Sequence, residues 1–158
     1  MHTIFLALGS NVGDRSGNIK KAINLLSGSV GISRLAPVYE SRAVGFKEQP
    51  DFLNTVIEGH TNLSPGDLLV FIEEVETNVG RKKSAHWGPR EIDVDILFYD
   101  DIVFKNEILE IPHSQIVKRD FVLAPMNDLE PNFIHPVLGK TINQLVQEFP
   151  NNQKSILA

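Results

Sequence analysis

The run Ile92-Asp93-Val94-Asp95-Ile96-Leu97-Phe98-Tyr99 constrains the fold more than any other stretch of the chain. It is apolar, rich in β-branched and aromatic residues and followed by the turn Asp100-Asp101, which reads as a strand. Side chains on a strand alternate faces, so Ile92, Val94 and Ile96 point into a core. Asp93 and Asp95 point together the other way, roughly 7 Å apart. Two adjacent carboxylates on an apolar strand repel each other and lose hydration, so they need either a compensating cation or a solvated sheet face.

The rest of the chain supplies partners for such a strand. Thr3 to Leu8 is a short apolar run closed by Gly9, as expected of a buried central strand. Asp14 is placed to cap a helix whose apolar positions are Ile19, Ala22, Ile23 and Leu26. Strands are predicted around 32–39 and 52–60, joined by a loop over 41–51 that is long enough to suggest a binding role. A second helix starts at Ser64 with Pro65 in its first turn, runs along Leu68, Ile72, Val75 and Val79, and stops at Gly80. Further strand character lies at 102–104 and 108–111. Helices are predicted near 119–129 and 141–149, separated by Pro131 and Pro136.

The resulting order is βαββαβ followed by extra elements. It predicts an α+β fold, a ferredoxin-like sandwich with additional C-terminal helices, as one domain over 1–158. Both main helices are expected on one sheet face, with the other face left for a ligand.

Charge and composition narrow the function. The net charge of −5 argues against a nucleic-acid partner. The lack of cysteine excludes disulfides and thiolate metal sites. No apolar stretch approaches a membrane span and no secretory leader is visible, so a cytoplasmic protein is expected.

Against this acidic background, Arg81, Lys82, Lys83 and Arg90 crowd around Trp87, the single tryptophan. Cationic donors beside two carboxylates suit a polyphosphate bound with magnesium, whose shell is completed by phosphate oxygens and water. The plainer alternatives are a solubilising loop with Trp87 as a packing anchor and a solvated Asp pair. There is no GxxxxGK[ST] run and no protein-kinase signature.

The string Trp87-Gly88-Pro89-Arg90-Glu91-Ile92-Asp93-Val94-Asp95-Ile96-Leu97 resembles the signature of the 6-hydroxymethyl-7,8-dihydropterin pyrophosphokinases. The resemblance extends to Leu8-Gly9-Ser10-Asn11, Gln49-Pro50-Asp51-Phe52-Leu53-Asn54, Glu76, Gly80-Arg81, Ile111-Pro112-His113 and Arg119-Asp120-Phe121. It implies transfer of pyrophosphate from ATP to the pterin hydroxymethyl group with release of AMP, in folate biosynthesis. Two Mg2+ ions are implied with ATP as co-substrate, and Asp93 and Asp95 as their ligands.

Carried over residue by residue, Arg81 and Arg90 resemble catalytic-loop arginines that close over the triphosphate. Phe52 and Phe121 resemble the pair that sandwiches the pterin. Asn54, with Ser41 and Val44, resembles the contacts to its polar edge, and Trp87 resembles the residue that seals the loop. Glu73, one of Lys82 and Lys83, Ile96, His113 and Arg119 correspond to nucleotide contacts. The chain departs from the pattern at Glu73, where glutamine is common, at Ile108 and at Ser114. The family also implies either a monomer or a module of a folate-pathway fusion. From the residues alone two other readings remain: a phosphohydrolase using the same Asp pair, and a non-catalytic nucleotide sensor.

Overall fold

Strand β1 (His2–Ser10) is the spine of the molecule and pairs antiparallel on both sides. The computed structural model describes residues 1–43, 48–82 and 89–157. Helix α1 (Arg15–Leu26) follows, and the Asp14 side chain accepts from Gly17 N as its sequence position predicts. The chain then forms β2 (Gly31–Leu35), β3 (Tyr39–Ser41) and β4 (Phe52–Thr61). Helix α2 (Pro65–Val79) is capped by Ser64, whose hydroxyl accepts from Asp67 N. It ends at Gly80, whose φ of 121° favours a residue without Cβ. Strand β5 (Asp93–Tyr99) completes the main sheet.

The sheet order is β2-β4-β1-β5, all antiparallel, with β3 pairing a second stretch of β4. The single strand predicted over 32–39 is thus divided between β2 and β3. Residues 36–38, with Pro37 lacking a donor, belong to neither. With β2 and β3 counted as one interrupted edge, the connectivity is the expected ferredoxin-like one.

Helices α1 and α2 pack on one face over Ile4, Leu6, Leu8, Ile57, Val94 and Ile96. The other face is not left wholly free, as the sequence suggested. A small β6 (Phe104–Lys105) and β7 (Glu110–Ile111) pair lies beyond β5. It is followed by α3 (Asp120–Leu129) and α4 (Ile142–Glu148). These two helices bury Phe5, Val56, Leu97 and Phe98 in a second core with Val122, Met126, Ile142 and Leu145. The strand pattern explains the difference. Leu97, Phe98 and Tyr99 are consecutive and apolar, so both faces of that half of β5 must be covered. Only the half carrying Asp93 and Asp95 remains open.

Candidate active site

The pairing register builds the floor of the site. Gly9 on β1 lies between Asn54 of β4 and Asp93 of β5, and two residues on, Ala7 lies beside Asp95. Paired residues share a face, so the smallest side chains sit between the two carboxylates and the amide. A Cβ at Gly9 would lie 3.1 Å from Asn54 Oδ1 and 3.6 Å from Phe52 Cδ1. Glycine there keeps the floor low.

Above it lies a cleft of about 450 Å³, lined by residues including Gly9, Ser41, Phe52, Asn54, Asp93 and Phe121. The Asn54 amide donates to Ser41 Oγ at 2.8 Å, and both residues are buried. Among the described residues no hydrogen bond uses Asn54 Oδ1, which leaves an acceptor for a ligand. A second cavity of about 390 Å³ lies on the other side of β5, lined by Leu69, Ile96, Ile108, Leu109 and Ser114 among others. Asp95 and His113 line both cavities. Asp95 therefore stands where the two cavities meet, with Asp93 on the side of the first.

The electrostatics fit a cation bound with an anion. Burial first, then the neighbouring Asp93 and the more distant Glu76, push the Asp95 carboxyl up to about 7, against the pull of Arg119 and Arg81. Arg119 Nη1 lies 3.6 Å from Asp95 Oδ2, and its guanidinium carbon lies 5.8 Å from the Phe121 ring centroid. Arg90 Nη1 stands 3.9 Å from Asp93 Oδ1. Arg81 Nη1 bridges Glu76 Oε2 at 2.7 Å and Asp93 Oδ1 at 3.3 Å.

His113 Nε2 lies 3.8 Å from Asp95 Oδ1. This contact is not an ion pair at neutral pH. Burial, and then Arg119, bring the imidazole down to about 4. Its Nδ1 accepts from Gln115 N, so the neutral ring carries its proton on Nε2 and offers a donor at the junction of the cavities. Among the described residues no cluster of three or more His, Cys, Asp or Glu forms a closed metal cage. Two carboxylates with an open side are the donor set that a magnesium ion shares with phosphate oxygens and water.

The family description "7,8-dihydro-6-hydroxymethylpterin-pyrophosphokinase (HPPK)" matches residues 5–131. The chain belongs to this family. It is a pyrophosphokinase.

Its similarity to the "2-amino-4-hydroxy-6-hydroxymethyldihydropteridine pyrophosphokinase" of Aquifex aeolicus is 47% identity over 148 residues, covering 94% of this chain and 92% of that protein. The "Folic acid synthesis protein FOL1" of Dictyostelium discoideum is 41% identical over 94% of this chain, which spans only 22% of that longer protein. Among solved structures, a Plasmodium falciparum HPPK-DHPS triple mutant with pteroate superimposes with a TM-score of 0.78 at 18% identity. The match covers 97% of this chain and 44% of that one, and it supports the fold.

Within this pyrophosphokinase the expected site residues divide cleanly. Ser41, Phe52, Asn54, Arg90, Asp93, Asp95, His113, Arg119 and Phe121 all line the first cleft. Ile96 lines the second cavity. Arg81 reaches the site through Asp93 without lining the cleft. Glu73 is exposed on α2 and lines neither cavity. Val44, Lys83 and Trp87 lie outside the described residues.

Asn11 and Glu76 stand inside the family motifs, yet their sequence positions alone suggest no role for either. Asn11 is buried, and its Nδ2 donates to Gln49 Oε1 at 2.7 Å and Pro50 O at 3.0 Å. Its Oδ1 accepts from Arg90 N at 2.8 Å. Glu76 is a buried carboxylate on an otherwise apolar helix stripe. That mismatch is the signal that would have revealed it.

Proposed function

We propose that the first cleft holds 6-hydroxymethyl-7,8-dihydropterin, that the second cavity holds the adenosine end of ATP, and that the triphosphate crosses Asp95 and His113 between them. The observation that carries this reading is the sharing of those two residues by both cavities. A flat bicycle suits the space bounded by Phe52 and Phe121, where stacking adds to burial. Its donors have Asn54 Oδ1 and the Ser41 hydroxyl to meet.

In this reading the pterin hydroxyl oxygen forms a bond to the β-phosphorus of ATP. The bond from that phosphorus to the α–β bridging oxygen breaks, AMP leaves, and the hydroxyl proton passes to water. Arg119 and the neutral Nε2–H of His113 hold the non-bridging oxygens, while Arg90 approaches from the Asp93 side and neutralises charge as the bond breaks. Asp93 and Asp95 are the side chains that would hold two Mg2+ ions, which would align the reactants and screen the phosphate charge. Strong base catalysis is not required, because positioning supplies most of the advantage.

The product diphosphate and the relatives' names place the reaction in folate synthesis. The chain acts there as a cytoplasmic monomer or as a module joined to another folate-pathway enzyme. Nucleotide products should be measured with ATP, Mg2+ and the pterin, each omitted in turn. AMP that appears only with all three present is the expected result. Phosphate or ADP released without pterin would overturn the reading in favour of hydrolysis.

A further inference from the structure

Beyond the helices, the segment Ser155–Leu157 returns to the sheet and touches both walls of the first cleft. On one side it extends the β3 edge: Arg42 N donates to Ser155 O at 2.9 Å, Leu157 N donates to Glu40 O at 2.8 Å, and Ser41 bridges Ile156. On the other side it is held by Asp120, the first residue of α3. Asp120 Oδ2 accepts from Ser155 N at 2.7 Å and Ile156 N at 3.0 Å, and Oδ1 accepts from Ser155 Oγ at 2.6 Å. Asp120 and Ser155 are each 8% exposed, so these bonds form away from bulk water. Hydrogen bonds to a charged acceptor in such a setting are stronger and more directional than neutral surface ones.

The residues that this segment ties together matter for the site. Ser41 holds the Asn54 amide, and Phe121 follows Asp120 directly and lines the cleft. The Ser41 wall belongs to the sheet edge, whereas the Phe121 wall belongs to a helix packed on the second core. Ser41 is paired with Phe52, so the segment joins the sheet edge beside Phe52 to the helix that carries Phe121.

We propose that Ser155–Leu157, gripped by Asp120, is a positioning strap that fixes the width of the pterin cleft and thereby pterin affinity. None of Glu40–Arg42 and Asp120 lines the second cavity, and the neighbouring Arg119 has its own contact to Asp95 at 3.6 Å, so ATP affinity changes less than pterin affinity. This inference rests on the assignment of the first cleft to the pterin.

The test uses the intact chain and the steady-state constants for each substrate. Ser155→Ala removes one bond to Asp120 and Ser155→Thr keeps the hydroxyl, while Asp120→Asn removes the charge that strengthens all three bonds. The expected result is a pterin KM raised about threefold to tenfold in S155A and tenfold or more in D120N, with S155T near wild type and ATP KM within about twofold. Pterin KM unchanged in S155A, or both KM values raised alike, would overturn the strap. If D120N does not fold, the S155A and S155T pair decides. Wild-type protein lacking saturable pterin dependence would instead remove the cleft assignment beneath it.

Discussion

Arg81 Nη1 lies 2.7 Å from Glu76 Oε2, and that same carboxylate oxygen accepts the backbone N–H of Val94, between Asp93 and Asp95. The pair thus anchors the Asp93 end of β5 from the helix side. Burial raises the Glu76 carboxyl above its ordinary range, opposed by the Val94 N–H and by Arg81. Arg81→Ala leaves Glu76 with Val94 alone and takes a cation from Asp93. We expect the ligand-free protein to lose about 1–2 kcal/mol, or about 2–8 °C in melting temperature, besides a fall in kcat. An unchanged melting temperature would show that Arg81 is not held by Glu76 in solution.

Asp95 gives a prediction of opposite sign. Its folded-state value of about 7 stands above the ordinary 3.8, because burial and Asp93 disfavour the charged form. The folded protein therefore holds this proton more tightly than the unfolded chain does. The stability from that proton is fully present below about pH 4 and is lost as pH rises through about 7. Asp95→Asn should abolish turnover yet stabilise the ligand-free protein near pH 8 by about 1–2 kcal/mol, a value reduced because the side chain keeps 29% of its surface exposed. The gain should vanish near pH 4. Thermal melts at the two pH values without Mg2+ or ATP check it, and a less stable variant near pH 8 would contradict it.

The contrast between these residues shows what was legible in the sequence. Alternation alone put Asp93 and Asp95 on one face, and local caps at Asp14 and Ser64 fixed two helix starts. Such signals act over two to four residues. Glu76 to Val94 and Ser155 to Asp120 span separations of 18 and 35 residues, and no local periodicity encodes such contacts. The covering of the second sheet face was half-legible. Leu97-Phe98-Tyr99 required two-sided burial, but nothing in that run says that α3 and α4 supply it.

Asn11 links the loop before β4 to the loop before β5. Its side chain joins Gln49 and Pro50 to Arg90 N, and its backbone N–H donates to Arg90 O at 3.1 Å. Asn11→Ala leaves the Arg90 N–H and Pro50 carbonyl without this partner at a buried position. We expect about 1–3 kcal/mol of lost stability and a kcat lowered about tenfold or more, since Arg90 loses its placement. Steady-state rates and melts measured together test this, and full activity in a destabilised N11A protein would show that Arg90 is positioned by other contacts.

Phe121 separates stacking from mere volume. Its ring lines the first cleft and receives the Arg119 guanidinium at 5.8 Å, so it is fixed from one side and free to meet a ligand on the other. Phe121→Leu keeps most of the apolar bulk but removes the π face. Stacking of a planar heterocycle on an aromatic ring is worth about 1–3 kcal/mol by analogy with nucleobases, so the pterin KM should rise about fivefold to 100-fold in F121L. ATP KM should rise less, because Arg119 keeps its Asp95 contact at 3.6 Å. Equal rises for both substrates would mean that Phe121 serves chiefly as a support for Arg119, and the pterin would then have to stack elsewhere in the cleft.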